Sequence, residues 1–340
     1  MLLRRISVSM SLVVSLVLIL LFYPASSTSF AQATRSDILD VIVEGVKHYD
    51  SLICNIEFDY VIDYDVSEAY RNKRIADNED RYRELFELGF RDPTLEHTIR
   101  SGTARYEGVR FYLSSKTIAC SDQKVFQDKV VAYDASKVTV LDMLRSCGEI
   151  SNELGPVTSD IFSNPRNYPV LFADVRALQS ALTAEDTVSS VVGEEEIDGT
   201  FCHIVDMYRE CGAAGLKKTV KRRCWIAPEN GFLVKKAIAF SVREADRPLS
   251  VTHCEFKEIG EGIWYYSNVA FESYPGVLPE PDVVVAVSFS NIVLNQPMQE
   301  DAFQADLTKV RLVDDLVANV TYESVPAVPS LEDLSPKAGQ

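Results

Sequence analysis

The chain has 340 residues, 46% of them hydrophobic, and a formal net charge of −16 at pH 7. A surface this acidic repels nucleic acid and anionic lipid headgroups, which argues against a nucleic-acid-binding function. The length suits one large domain or two small ones.

The first residues have the features of a secretory signal. Two arginines precede an apolar run over 6–23, and Ala31-Gln32-Ala33 forms a small-x-small cleavage site. Residues 1–33 are therefore predicted to be a signal peptide cleaved after Ala33, so that the mature chain is exported to the periplasm. The alternative is an uncleaved signal that anchors the chain, because the apolar run is long enough to cross a membrane.

The cysteines bear on the redox chemistry of an exported chain. Such a chain can form disulfides, but seven cysteines leave at least one thiol unpaired or bridged to another chain. Cys202, Cys211 and Cys224 lie close together in sequence, so a disulfide among them is one prediction. The absence of a C-x-x-C sequence leaves a thioredoxin-type site unsupported.

A helix followed directly by a long strand opens the mature chain. An apolar stripe at three- and four-residue spacing predicts a helix from Asp37 to about Asp50, with Ser36 as its N-cap. Over 54–64, apolar and polar residues then alternate with Val61 as the one exception, which predicts a strand with one buried face. The helical stripe consists of Ile38, Ile42, Val46 and Tyr49.

A charged segment separates this strand from those that follow. Residues 67–92 mix both charge signs with a short apolar stripe, which predicts a surface helix inserted between strands. A loop-rich stretch over 147–167 precedes a second predicted helix over 169–182, and a turn region is expected over 193–199. Strands are predicted over 103–114, 124–133, 138–144, 200–208, 220–227, 232–240, 250–259, 264–273 and 283–295.

The clearest hairpin of the chain spans 220–240. Pro228 presets φ at the first central position of its turn, and Asn230 and Gly231 tolerate a positive φ. β-Branched and aromatic residues flank the turn on both sides, as is typical of paired strands. Four apolar residues of the second strand are predicted to share one face: Phe232, Val234, Ile238 and Phe240.

These elements predict an α+β fold. About eight to ten strands at hairpin spacing, without repeated βαβ alternation, favour a strongly curved antiparallel sheet. A sheet too broad to stay flat suggests an incomplete (half) β-barrel whose concave face is covered by the two helices. The predicted domain spans 34–322 with 67–92 as a charged helical insertion, and 323–340 is predicted to be a flexible C-terminal tail.

The order of several weak motifs resembles a known family. The chain is similar over most of 37–322 to the outer-membrane lipoprotein carriers and lipoprotein-sorting proteins, which are called LolA/LolB-like. It departs from the family at Tyr266, where a proline is usual, and in its charged insertion and its cysteines. The motifs are the helix running into a strand over 38–64, the turn Gly193–Gly199 before a strand, the tryptophan strand and Pro-x-x-Gly turn over 224–234, Gly262-Ile263-Trp264, Asn295-Gln296-Pro297 and Asp301-Ala302-Phe303.

The resemblance implies a carrier that binds the acyl chain of a lipid or lipoprotein in a hydrophobic cavity. It also implies that an arginine on an early strand holds the helical lid closed; Arg110 is the candidate, and Arg105 is almost as well placed. The same aromatic residues suit a sealed core, in which case the chain would be a periplasmic interaction or sensor module whose partner docks on the sheet or its edge. The residues expected to line the cavity are Phe58, Tyr60, Ile62, Phe111, Leu171, Val175, Leu178, Trp225, Ile238, Phe240, Trp264 and Tyr266.

Catalytic and metal chemistry find little support in the residues. Cys202-His203 and His253-Cys254 invite a metal interpretation, but adjacent strand residues point to opposite faces, so each pair offers one ligand to a common site. The sequence has no Gly-x-Ser-x-Gly, no His-Glu-x-x-His and no phosphate-binding loop. We therefore expect a non-catalytic protein without cofactor or metal, with a protein partner in the periplasm or outer membrane as a further expectation.

Overall fold

The computed structural model describes residues 35–80, 82–83, 92, 95–152, 178–211, 218–240, 247–274 and 280–324. The helices are α1 (Arg35–Leu52), α2 (Glu68–Ala76) and α3 (Leu178–Thr183). The strands are β1 (Asn55–Val66), β2 (Thr98–Glu107), β3 (Arg110–Ala119), β4 (Val125–Tyr133), β5 (Val138–Asp142), β6 (Cys147–Ser151), β7 (Thr187–Ile197), β8 (Thr200–Cys211), β9 (Lys218–Ala227), β10 (Leu233–Phe240), β11 (Pro248–Gly260), β12 (Ile263–Ser273), β13 (Val283–Leu294), β14 (Leu312–Asp315) and β15 (Val320–Glu323).

All described strands belong to one curved, open sheet. Its order is β15-β14-β6-β5-β4-β3-β2-β1-β13-β12-β11-β10-β9-β8-β7, so β1 lies in the middle and β15 and β7 form the two edges. Neighbouring strands are antiparallel, which confirms the predicted open antiparallel sheet, except that β14 pairs with β6 in parallel. That parallel pair was not predicted, because it joins segments far apart in sequence and leaves no local pattern.

The central strand β1 has the two-faced character that its sequence predicts. Ile56, Phe58, Tyr60 and Ile62 are buried along one face, and the strand runs two residues further than expected, to Val66. Its alternation of apolar and polar side chains places the opposite row towards solvent, as the period of two requires. β1 therefore fixes which face of the sheet is apolar.

Helix α1 packs on that apolar face with the predicted stripe. Its residues Ile42, Val46 and Tyr49 are buried. At two places its approach to the turn between β9 and β10 needs a glycine: a Cβ at Gly45 would overlap the ring of Phe232, and one at Gly231 would overlap the ring of Tyr49. Gly231 also adopts φ +69°, which glycine accepts at little cost.

The predicted hairpin over 220–240 is confirmed, but its faces are not those expected. Val234 pairs with Ile226 and Lys236 with Trp225, so Lys235 is an extra residue that forms a β-bulge. Because one extra residue reverses the alternation, Val234 faces α1 whereas Ile238 lies on the opposite face. The prediction that these two residues share a face is therefore wrong.

Several predicted boundaries also differ from the structure. The segment predicted as one strand over 103–114 is a hairpin, with Gly108 at φ +57° between β2 and β3. The loop expected over 147–167 begins with β6, and the turn region expected over 193–199 is largely the end of β7. β6 is short and β7 is rich in charge at a sheet edge, so these two strands lack the apolar alternation that identifies a strand.

Other predictions fall partly or wholly outside the described residues. Three predictions lie outside the described residues in this way: the signal peptide, the part of the helix over 169–182 that precedes Leu178, and residues 325–340 of the predicted tail. The start of the charged insertion is described: α2 begins after Ser67, whose side chain accepts a hydrogen bond from the Tyr70 amide at 3.1 Å. The predicted tail begins with the end of β15, because Glu323 belongs to that strand.

A hydrogen bond across β2 interrupts the regular sheet beside β1. The Tyr60 hydroxyl donates to the carbonyl oxygen of Ser114 on β3 at 2.7 Å, and the Ser114 hydroxyl accepts from the Thr103 amide at 2.9 Å. The tyrosine ring reaches β3 because Gly102 of β2 has no side chain. A Cβ there would overlap the Ser114 oxygen and lie 2.7 Å from the Tyr60 oxygen.

We predict that Gly102→Ala destabilises the protein by about 1–3 kcal/mol, since the added methyl must displace backbone atoms of β3. Thermal or urea denaturation measures this loss. Gly260→Ala is the matched control, because a Cβ at that position meets no atom within 4 Å. Equal stability of the two variants would contradict the close approach of Tyr60 to β3.

Candidate functional site

The apolar interior on the α1 side of the sheet is the main candidate site. Its larger part, here called the first cluster, surrounds β1 and the strands that pair with it. Phe58 packs edge-on against Phe289 with ring centroids 5.4 Å apart and at 6.0 Å from Tyr265. The buried members are Tyr49, Ile53, Ile56, Phe58, Tyr60, Ile62, Ala104, Leu113, Leu233, Cys254, Tyr265, Tyr266, Val269, Phe271, Val285, Val287 and Phe289.

A second cluster continues this surface towards the β7 edge. α1 joins the two clusters, because Ile42 and Val46 belong to the second while Tyr49 belongs to the first, together with Ile53 just beyond the helix. The helix thus covers a boundary between two halves of the apolar face. The buried members of the second cluster are Ile42, Val46, Ala181, Leu182, Val191, Val205, Met207, Cys224, Ile226, Val234 and Ala237.

Two tyrosines of the first cluster, Tyr49 and Tyr266, anchor their hydroxyls on the backbone. Tyr49 donates to the carbonyl oxygen of Trp264, and Tyr266 accepts from the Val234 amide at 3.3 Å. Burial raises the pKa of both phenols, so both stay protonated at neutral pH. The rings therefore present apolar surface to the interior while their polar ends are satisfied.

Asn295 of the Asn-x-Pro motif ties α1 to β1. Its side-chain oxygen accepts from the Cys54 amide at 2.8 Å, and its side-chain nitrogen donates to the carbonyl oxygen of Leu52 at 2.7 Å. It adopts φ +54°, a conformation that asparagine tolerates better than most residues. The Cys54 amide thereby gains an acceptor, and the Leu52 carbonyl oxygen at the end of α1 gains a donor, which the helix itself cannot supply.

The structure brings together only part of the predicted cavity lining. Phe58, Tyr60, Ile62 and Tyr266 are buried in the first cluster, and Trp264 packs against it. Leu178 packs against the second cluster. Leu171 and Val175 lie outside the described residues.

Other predicted lining residues lie elsewhere. Trp225 belongs to a small cluster on the opposite face, and Ile238 packs against it. Phe240 lies near two cations, 5.0 Å from the Lys221 ammonium and 6.0 Å from the Arg223 guanidinium. Phe111, by contrast, lies on the face of the first cluster at its margin, with its ring against Tyr106, which packs on that cluster, and against Tyr133.

Arg110, the predicted lid-holding arginine, contacts the C-terminal part of the chain. It forms an ion pair with Glu107 and lies 4.7 Å from the ring centroid of Phe303, which is buried. Arg105 pairs with Glu57 at 3.0 Å and lies over the Tyr112 ring. The Asp-x-Phe motif noted in the sequence thus supplies the aromatic partner of Arg110.

The face opposite α1 contains a buried carboxylate with two cations. Asp206 is 2% exposed and accepts two hydrogen bonds from Arg223, at 2.6 and 2.8 Å, with Lys221 at 3.4 Å. Burial opposes ionisation of this carboxyl, but its bonds to Arg223 and the two positive charges outweigh burial and lower its pKa below the ordinary 3.8. This cluster is fully satisfied and stabilises the fold of β8 and β9.

The described cysteines form no disulfide. Cys202 and Cys224 are free and buried, and burial raises the pKa of each thiol to about 11, so both are protonated and unreactive at neutral pH. They lie in different clusters on opposite faces of the sheet. A bridge between these two is therefore wrong, and the side chain of Cys211 lies outside the description.

Three surface cavities lie in the described part of the chain, and none of the predicted lining residues lines these three. Their volumes are about 350, 190 and 360 Å³. The first lies beside α2 and Arg71, the second beside Lys235 and His253, and the third beside Arg105 and Met298. Among the described residues no group of three or more histidine, cysteine or acidic side chains could hold a metal ion.

Some residues of the site were not predicted. Tyr265 and Phe289 lie at the centre of the first cluster, yet the sequence places Tyr265 next to Tyr266, and only one of two adjacent strand residues is expected to face inwards. Both are buried because the pairing of β11 with β12 shifts register near Phe256. The glycines at 45 and 102 give no local signal, since their role depends on rings from distant strands.

Comparison with protein-family models and with curated protein sequences finds no match. Two solved structures are similar at 12% sequence identity. A DUF1329 family protein from Desulfovibrio piger matches 78% of this chain and 97% of its own with a TM-score of 0.46. Lipoprotein LppX from Mycobacterium tuberculosis matches 78% of this chain and 98% of its own with a TM-score of 0.29. Both likenesses are too distant to support a functional conclusion.

Helices in the described part of the chain are too short or too polar to cross a membrane.

We predict that Asn295→Ala weakens the attachment of α1. Loss of its hydrogen bonds to the backbone of 52–55 should destabilise the protein by about 2 kcal/mol and speed amide exchange in α1. Hydrogen exchange with mass spectrometry measures both. Asn291→Ala is the matched control, because Asn291 has a similar φ of +51° and bonds to Asp59 instead. The same acceleration in both variants would rule out a specific role.

We predict that Asp206→Asn lowers the free energy of unfolding at neutral pH by about 2 kcal/mol, since the variant loses the negative charge with which Arg223 and Lys221 both pair. Because the folded-state pKa is depressed, the wild-type carboxylate stabilises the fold above pH 3.8 and loses that contribution as the pH falls through the folded-state pKa. Urea unfolding from pH 7 to pH 2 should therefore show a smaller pH dependence in Asp206→Asn. Glu261→Gln, in the exposed β11–β12 turn, is the charge control, and matching profiles for the two variants would contradict the assignment.

Proposed function

We propose that this chain is a non-catalytic, exported protein that binds the acyl chain of a lipid or lipoprotein beneath α1. The observation that supports this proposal is the joining of two apolar clusters on one face by a single helix. Displacement of α1 would expose both clusters as one continuous surface. The ordered family motifs and the signal-like N-terminus support the same proposal.

The energetics of such binding follow from apolar burial. Each methylene moved from water into an apolar interior contributes roughly 0.8 kcal/mol, so a long acyl chain binds without a polar recognition code. In the closed protein the cluster side chains bury one another, so a ligand must first displace α1. The contacts that hold α1, namely Tyr49 to Trp264 and Asn295 to Leu52, then set the cost of opening.

A second candidate function is an interaction or sensor module with a filled interior. It is favoured by the mutual burial of Phe58, Tyr265 and Phe289, whose rings line none of the three cavities described above. In this alternative α1 stays in place, and the exposed surface and edges of the sheet contact a protein partner. The two candidates differ in whether a hydrophobic ligand can enter.

We predict that the mature chain binds dansyl-undecanoic acid saturably, and that Tyr49→Phe binds it about fivefold more tightly. The variant keeps the ring but loses the hydrogen bond to Trp264, so α1 opens at lower cost. Fluorescence titration measures both affinities. Ser51→Ala is the control, because Ser51 lies on the exposed side of α1 and its hydroxyl donates to the His48 carbonyl oxygen within the same helix.

Native mass spectrometry of the chain purified without detergent complements the titration. A bound mass removed by solvent extraction would identify the lipid class. No uptake of dye or lipid by either the wild type or Tyr49→Phe would reject the carrier and leave the interaction module.

A further inference from the structure

The two edges of the sheet differ in how they are protected. β7 carries three consecutive glutamates, Glu194 to Glu196, and packs against α1 and α3. Charged side chains and covering helices are the usual means of preventing another strand from adding to an edge. β15, at the other edge, has all four of its residues exposed and only Glu323 as a charge.

The backbone of β15 offers hydrogen-bonding groups at this edge. The Ser324 amide donates to the Arg311 carbonyl oxygen at 3.0 Å, which shows that the amide of Ser324 points towards β14. Because inward and outward groups alternate along an antiparallel strand, the amides and carbonyls of Thr321 and Glu323 point away from β14. Within the described part of the chain, no strand lies beyond β15 to accept them.

Exposed apolar side chains accumulate around the same edge. On β15, Val320 is 49% exposed and Tyr322 is 38% exposed, and both lie on the face of the buried Val313. Leu312, on the other face of β14, is 44% exposed. The turn between the two strands adds Leu316 and Val317, which are 54% and 38% exposed.

The charge around the edge is negative. Two arginines, Arg145 and Arg311, pair with Asp142 and Glu323. The remaining carboxylates are Glu149, Asp314 and Asp315. Asp314, Thr321 and Glu323 share one face of the β14–β15 pair with Leu312, while Val320 and Tyr322 share the other with Asp315.

We propose that β15 is a docking edge for an extended, basic segment of a partner protein, which adds to the sheet as a further strand. The segment would alternate apolar residues, beside Val320 and Tyr322, with lysine or arginine, beside Thr321 and Glu323. The outward groups of Thr321 and Glu323 supply backbone hydrogen bonds, and the alternating side chains supply specificity. This proposal does not depend on lipid binding under α1.

Fluorescence anisotropy with labelled nine-residue peptides tests the proposal on the mature chain. A peptide that alternates lysine and valine should bind saturably and more weakly as salt is raised. A peptide of the same composition in blocks, and one that alternates glutamate and valine, should bind at least about tenfold more weakly. Equal binding of the three peptides would overturn the proposal.

Variants of the edge make the test specific. Thr321→Pro removes an amide that points outwards, and an edge strand tolerates proline at such a position. This variant should weaken peptide binding about tenfold. Thr321→Ala keeps the amide and should bind the peptide like the wild type. Asp314→Lys combined with Glu323→Lys should shift preference to the acidic peptide and keeps the test decisive if Thr321→Pro unfolds. A dimer that Thr321→Pro dissociates would instead assign the edge to a second copy of the chain and overturn the proposal.

Discussion

The packing of α1 against the β9–β10 turn is the contact on which the apolar face of the sheet depends. Gly45 and Gly231 allow the helix and the turn to approach until the rings of Phe232 and Tyr49 fill the space between them. Three residues on one side of α1 are then buried, Ile42 and Val46 in the second cluster and Tyr49 in the first. Because an open sheet cannot cover its own apolar face, the helix supplies burial that a closed barrel would obtain from its other strands.

The two faces of the sheet are stabilised by different interactions. Large aromatic and aliphatic side chains fill the α1 side, with tyrosine hydroxyls bonded to the backbone. The other side contains the Asp206–Arg223 ion pair and the small cluster around Trp225, whose ring also contacts Lys236. The bulge at Lys235 connects these environments, since it determines which residues of β10 face α1. The proposed ligand site and the proposed docking edge are therefore separate parts of the molecule, the helix-covered face and β15.

Elements with a strong periodic signal were predicted well. The stripe of α1, the alternation of β1 and the turn residues around Pro228 each report a local preference that the folded chain keeps. The edge strands β7 and β15 were missed, because short or charged strands lack that signal. The hairpin turn at Gly108, between two ten-residue strands, was also missed. In the candidate site, Phe58, Tyr60 and Ile62 were placed together because one uninterrupted strand carries them. Trp225 and Ile238 were wrongly predicted to lie with them. The bulge at Lys235 and the pairing of β9 with β10 place these two side chains on the opposite face of the sheet.

The sequence by itself determined that this chain forms a predominantly β protein with an amphipathic helix at the start of the described region, because both periods are properties of neighbouring residues. Only the tertiary structure decided which apolar residues meet. Gly102 is required because Tyr60 crosses β2 to reach Ser114, and Asn295 is required because it joins α1 to β1 from the far end of β13. These contacts join residues that lie far apart in the chain, so they form, and stabilise the protein, only once the strands are paired in register. The parallel pairing of β14 with β6, which leaves β15 at the edge, has the same origin.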